Sequence, residues 1–125
     1  MSYRVITSDY TMSNGSYQSI DGTEMCVGEG FTYKDAHYTA LQHDTRYKIA
    51  WYQKLQEGIW YECDSDGNAR LDMPAFVQEV AFEDYAIEDM MDHPEDYNLE
   101  KDQNGDYVIP TKSGQKIVRK EEYND

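Results

Sequence analysis

Gly28-Glu29-Gly30-Phe31-Thr32-Tyr33-Lys34-Asp35-Ala36 is the stretch at which the chain changes period, and the fold class follows from what lies on either side of it. The two glycines break an extended pattern. Thr32 is a good helix N-cap, and Asp35 three residues on makes an approximate capping box with Asp in place of Glu. A helix should therefore begin at Tyr33.

Upstream the pattern is β. Tyr3 to Met12 is rich in Thr, Tyr, Val and Ile and reads as a strand. Asn14-Gly15 accepts the positive φ of a type I′ hairpin, so Ser16 to Ile20 should return antiparallel. Asp21-Gly22 is a second tight turn, and Glu24 to Val27 a third short strand.

Downstream, Ala36, Ala40, Tyr47, Ala50, Trp51 and Leu55 fall on one helical face, with His43 or Asp44 filling the gap between Ala40 and Tyr47. They predict a helix from Tyr33 to Gln56 that stops at Gly58, with a kink or a break into two helices near Asp44-Thr45 as the alternative. Ile59 to Cys63 and Ala69 to Leu71 read as strands joined by the turn Asp64-Ser65-Asp66-Gly67-Asn68. Asp72 is placed to cap a second helix, with Pro74 in its first turn. Phe76, Val80, Ile87 and Met91 form its expected buried stripe, flanked by Val77, Ala81 and Met90, and His93-Pro94 ends it. Tyr97 to Lys101 should pair with Asp106 to Pro110 across Gln103-Asn104-Gly105, and Lys116 to Arg119 is a final edge strand. Residues 121–125 are expected to fray.

Strand runs alternating with two helices predict a single α+β domain over residues 1–125, an antiparallel sheet of hairpins with both helices packed on one face. Residues 28–36 resemble the strand–Gly–Thr–helix lead-in of many small α+β modules, including antitoxin-like and double-stranded-RNA-binding folds. The helix start lacks the basic residues that an RNA-binding module needs, so no functional residue follows from the resemblance.

With 125 residues the chain can bury a core without disulfides or metal. Twelve Tyr, two Trp and three Phe separate it from disordered acidic chains, which lack aromatics. Cys26 and Cys63 stand far apart with no metal-ligand spacing and read as reduced thiols. The N-terminus has no apolar export segment and no apolar run is long enough to span a bilayer, so a cytoplasmic protein is expected.

The net charge of −14 is unevenly placed. Glu62 to Asp106 holds fifteen acids and only Arg70 and Lys101, leaving nine bases and ten acids elsewhere. Such a balance disfavours nucleic acid and anionic membranes as partners and favours cationic ones.

Catalytic patterns are weak. Placing Glu62, Asp64 and Asp66 at positions 1, 3 and 5 of a calcium loop puts Gly67 correctly at position 6, but Met73 falls at position 12, where a bidentate carboxylate is required. An acidic hairpin turn explains the same residues. His37-Tyr38-Thr39 and His43-Asp44-Thr45 are H-x-T triplets like those of the 2H phosphoesterases. Six residues apart on one helix, the two imidazoles would point about 120° apart and could not share one phosphate. Cys63 has acidic neighbours, which raise a thiol pKa. No phosphate-binding loop or metalloprotease motif is present, so no enzyme activity and no cofactor or metal are expected. A hydrolase built on the acids would need three carboxylates brought together by the fold.

What remains is the acidic second helix and its flanks. Glu79, Glu83, Asp84, Glu88, Asp89, Asp92, Glu95 and Asp96, with Tyr85 and Tyr97, are the expected partner-binding residues. Carboxylates four apart on a helix repel, at about 0.2–0.5 kcal/mol per pair, and no lysine relieves them here. In size and charge the chain resembles the DNA mimics among anti-CRISPR and anti-restriction proteins. That resemblance implies an inhibitor that occupies the basic nucleic-acid-binding surface of a larger protein, such as a nuclease or effector complex, and leaves a homodimer open. The alternative expectation is a binding site for a small nucleotide-like molecule built from Tyr33, Tyr47, Trp51, Tyr52 and Trp60.

Overall fold

A computed structural model of the chain describes residues 3–93, 97, 100–111 and 114–118. In order these form β1 (Tyr3–Ser8), β2 (Tyr10–Ser13), β3 (Ser16–Ser19), β4 (Met25–Phe31), α1 (Tyr33–His43), β5 (Ile49–Gln56), β6 (Ile59–Cys63), β7 (Ala69–Pro74), α2 (Asp84–Asp92), β8 (Glu100–Lys101), β9 (Tyr107–Thr111) and β10 (Gly114–Val118). The main sheet has the order β4-β1-β5-β6-β7 and is antiparallel throughout; β8 to β10 make a second sheet and β2–β3 a separate hairpin. The class is therefore α+β, with two helices packed on antiparallel sheet.

The helices divide the sheet faces between them. Val5 packs with Val27 of β4 and with Ala36 and Ala40 of α1. Its neighbour Ile6 packs with Cys26, Phe82 and the α2 residues Ala86, Ile87 and Met90. Alternation along β1 sends these two sets to opposite sides, so α1 and α2 do not share one face. Ile109 of β9 joins the α2 side.

Thr32 caps α1 as its position implies, its hydroxyl accepting from the Asp35 amide at 3.2 Å. The long helix to Gln56 does not form. Asp44 is the C-cap, and Thr45 Oγ1 accepts from the Tyr47 and Lys48 amides, turning the chain out of the helix. Ile49 to Gln56 then runs as a central strand between β1 and β6. Ile49, Trp51, Gln53 and Leu55 also fit a period of two, and cross-strand pairing on both sides overrides the helical spacing. Gly58 ends no helix. With Glu57 at φ 54° and Gly58 at φ 81°, it forms the two-residue β5–β6 turn. Asn14-Gly15 turns β2 into β3 as expected, but that hairpin stands apart while β4 returns beside β1.

The second helix is shorter than its pattern implied. Asp72 and Pro74 lie in β7, and residues 75–83 are irregular. Their backbone groups are taken up elsewhere. The Ala75 amide donates to the Trp60 carbonyl at 2.8 Å, and the Arg4 guanidinium takes the carbonyls of Val77 and Gln78. Cys26 N donates to Ala81 O and Glu83 N to Cys26 O, so Phe82 bridges β4 in parallel and covers its outer edge. Phe76, expected in the buried stripe, is 89% exposed. Val80, Ile87 and Met90 are buried as expected, and the side chain of Met91 lies outside the described residues. The expectation of a frayed 121–125 tail also falls outside them.

Candidate functional site

Asp84–Asp92 presents Ala86, Ile87 and Met90 to the core and leaves Tyr85, Glu88, Asp89 and Asp92 exposed on the other side. Glu83 is its N-cap residue, without a capping hydrogen bond from its side chain. Of the expected row of carboxylates four apart, only Glu88 and Asp92 have described side chains on the helix. Glu79 sits in the irregular segment, exposed. Asp84 opens α2, its side chain outside the described residues, as are Glu95 and Asp96 altogether.

The structure brings Tyr85, Asp89 and Tyr97 together. The Tyr97 hydroxyl donates to the Asp89 carboxylate. With Glu29 and Phe31 of β4 they line a cleft of about 360 Å³. Burial, then the bond to Asp89, holds the Tyr97 phenol far above its usual range. Burial, then the charge of Glu83, pushes Tyr85 up to about 12. Both rings stay neutral at physiological pH. The Tyr85 ring also lies nearly parallel to His43 at the end of α1, with centroids 6.5 Å apart and an interplanar angle of 11°. The ion pairs described, Lys48–Asp9 at 2.6 Å and Arg70–Asp72 at 3.3 Å, use none of Glu83, Glu88, Asp89 or Asp92.

The two acidic turns have a structural explanation. Asp64 Oδ1 accepts from the amides of Asp66 and Asn68, both at 2.9 Å. Asp102 Oδ1 accepts from Asn104 and Asp106 in the same way, at 2.9 and 3.0 Å. Each loop has a positive-φ glycine at its fourth position, Gly67 or Gly105. Hydrogen bonds from the Asn68 and Asp66 backbone hold the Asp64 carboxyl below its usual range. Among the described residues, no group of three His, Cys, Asp or Glu side chains could hold a metal ion.

The aromatics expected to form a small-molecule pocket are divided among four places. Tyr33 and Tyr52 cluster with Tyr3 and His37 beside α1. Trp60 is buried beneath the Arg4 guanidinium, 4.5 Å from its ring centroid. Tyr47 is 68% exposed under Arg46. Trp51 lines a different cleft, of about 510 Å³, with Tyr17, Ile49, Tyr52, Glu62 and Asp64. This cleft opens where the β5–β6 ladder stops at Gln53 opposite Glu62, so that Ile49 to Tyr52 run on beside β1 alone.

A largely buried polar row crosses the main sheet, set by strand register. Glu29, Arg4, Gln53 and Glu62 lie opposite one another on β4, β1, β5 and β6. Arg4 Nε donates to Gln53 Oε1 at 2.7 Å, and Gln53 Nε2 to Glu62 Oε2 at 2.8 Å. Arg4 is 2% exposed. Burial pulls its guanidinium down to about 10, against the favourable charges that include Glu29 and Glu62. Burial raises Glu62, partly offset by the Gln53 bond and by Arg4. The only local signal was a lone arginine in an apolar strand.

Compared with protein-family models, curated proteins and solved structures, the chain matches none. Among the described residues no helix is long and apolar enough to cross a membrane.

Proposed function

We propose that the chain is a binding protein rather than an enzyme, and that its anionic half docks against a basic nucleic-acid-binding surface of a larger protein. The observation that carries this reading is α2. Glu88, Asp89 and Asp92 are exposed beside Tyr85 and Tyr97, within a stretch of fifteen acids and two bases. The carboxylates would replace phosphates against Lys and Arg, and the two tyrosines would add apolar contact. Exposed charge pairs of this sort are screened by salt over about 10 Å at 0.1 M.

The nucleotide-binding alternative draws less support. Its aromatics do not converge, and the cleft that holds Trp51 is lined by Glu62 and Asp64, which repel phosphate.

The test is retention of partners from a cell lysate by the immobilised protein at two ionic strengths, with Glu83→Lys/Glu88→Lys/Asp92→Lys as the comparison. Capture of basic nucleic-acid-binding proteins should fall at high salt and be lost in the triple variant. Capture that is indifferent to both would end the proposal.

A further inference from the structure

We propose that the cleft between the β2–β3 hairpin and the free edge of β5 binds an organic cation, a guanidinium or alkylammonium group. The inference stands apart from the α2 reading and uses none of its residues. The cleft, about 510 Å³, has Trp51 and Tyr17 as aromatic walls, Ile49 between them, and Glu62 and Asp64 as its charged lining. It combines apolar ring faces with fixed negative charge, the combination that recognises cations carrying apolar substituents.

Each part is held in place. Tyr17 meets Tyr10 edge-on at 5.0 Å and 77°. The Tyr10 hydroxyl donates to the Arg46 carbonyl at 2.5 Å, tying the hairpin to the loop before β5. Trp51 packs its other side against the core. Gln53 Nε2 orients the Glu62 carboxylate, and two turn amides fix Asp64. Among the described residues the cation–ring contacts are Arg4 on Trp60, Arg46 on Tyr47, Lys54 on Tyr3 and Lys101 on Tyr107. None of them lies on Trp51 or Tyr17; Arg46, which lines an adjoining cleft with both rings, sits over Tyr47 instead.

Two sources offer this chemistry: an arginine or lysine side chain of a protein, and a free quaternary ammonium compound. The experiment titrates the protein with acetyl-arginine-amide, tetramethylammonium and acetyl-citrulline-amide, following the two tryptophan indole N–H resonances. Citrulline keeps the shape of arginine and lacks its charge. Saturable movement of the Trp51 signal, with Trp60 unmoved, is expected with at least one of the two cations and not with citrulline. Tyr17→Ala, on the exposed hairpin, and Glu62→Gln should each weaken it roughly tenfold. Whichever cation binds more tightly identifies the source. Equal response to citrulline, no response to either cation, or an unchanged affinity in both variants would overturn the proposal.

Discussion

Replacing Arg4 by Met tests whether the sheet is built around its buried guanidinium. The side chain fills similar space but donates nothing. Arg4 bonds Gln53 Oε1 at 2.7 Å, Gln78 O at 2.6 Å and Val77 O at 2.9 Å, and lies over Trp60. Its loss strands one buried and two part-buried acceptors and removes the cation that faces Glu29 and Glu62 across the sheet. Breaking a buried, hydrogen-bonded charge arrangement from one side costs about 3–5 kcal/mol. Domains of this kind are stable by about 5–15 kcal/mol, so the variant should fold but lose a large share of its stability. With a urea m-value of about 1–3 kcal/mol per molar, the unfolding midpoint should drop by roughly 2 M at unchanged m. Glu62→Gln in the same chain should recover part of the loss, because one half-buried carboxylate no longer faces an absent cation. A midpoint unchanged by Arg4→Met would refute the reasoning, since the carbonyls of residues 77 and 78 would then have to be satisfied some other way.

Three further outcomes follow from the geometry. Gly67→Ala should cost at least about 1–2 kcal/mol for its left-handed backbone, and more because its Cβ would fall 2.3 Å from the Tyr33 ring; Gly105→Ala, at nearly the same φ with nothing within 4 Å, should cost the backbone part alone, and thermal unfolding of the pair measures the difference. Glu62 has a raised native pKa, so the native chain binds its proton more tightly than the unfolded chain; the stability this confers is full below the ordinary value of 4.5 and lost as pH rises through the native value. Glu62→Gln alone should therefore be more stable than the parent at neutral pH and show a flatter decline above pH 4.5 in urea titrations. Burial pushes Cys26 up to about 12 and Cys63 up to about 11, so neither should react quickly with iodoacetamide at pH 7, and Cys26, being fully buried, should react only as the protein unfolds.

The parts of the fold that were legible in the sequence are those decided locally. Thr32 caps a helix because its hydroxyl needs only the amide three residues on. Asn14-Gly15 makes its turn because the two residues accept positive φ unaided. The misread parts were decided by distant partners. Residues 49–56 carry a helical spacing, yet β1 and β6 offer backbone pairing along both edges. Residues 75–83 could have wound into helix from Asp72, but Arg4, some seventy positions earlier, takes their carbonyls. Three of the residues expected at the anionic face come together for local reasons. Tyr85, Asp89 and Tyr97 meet because two lie one helical turn apart and the third follows shortly after. Asp64 and Asp102 add to the count of acids, but their oxygens hold their own loops in shape, as the acidic-turn reading of residues 64–68 implies. The Glu29–Arg4–Gln53–Glu62 row depends on strand register alone, which no local pattern announces.

The strap at residues 81–83 has a consequence for association. By pairing with Cys26 it occupies the outer hydrogen-bonding groups of β4 there, while β7 forms the opposite margin of the five-stranded sheet. Across those groups no second chain can add a strand, so edge-to-edge pairing through β4 would have to begin beyond Cys26, in residues 27–31.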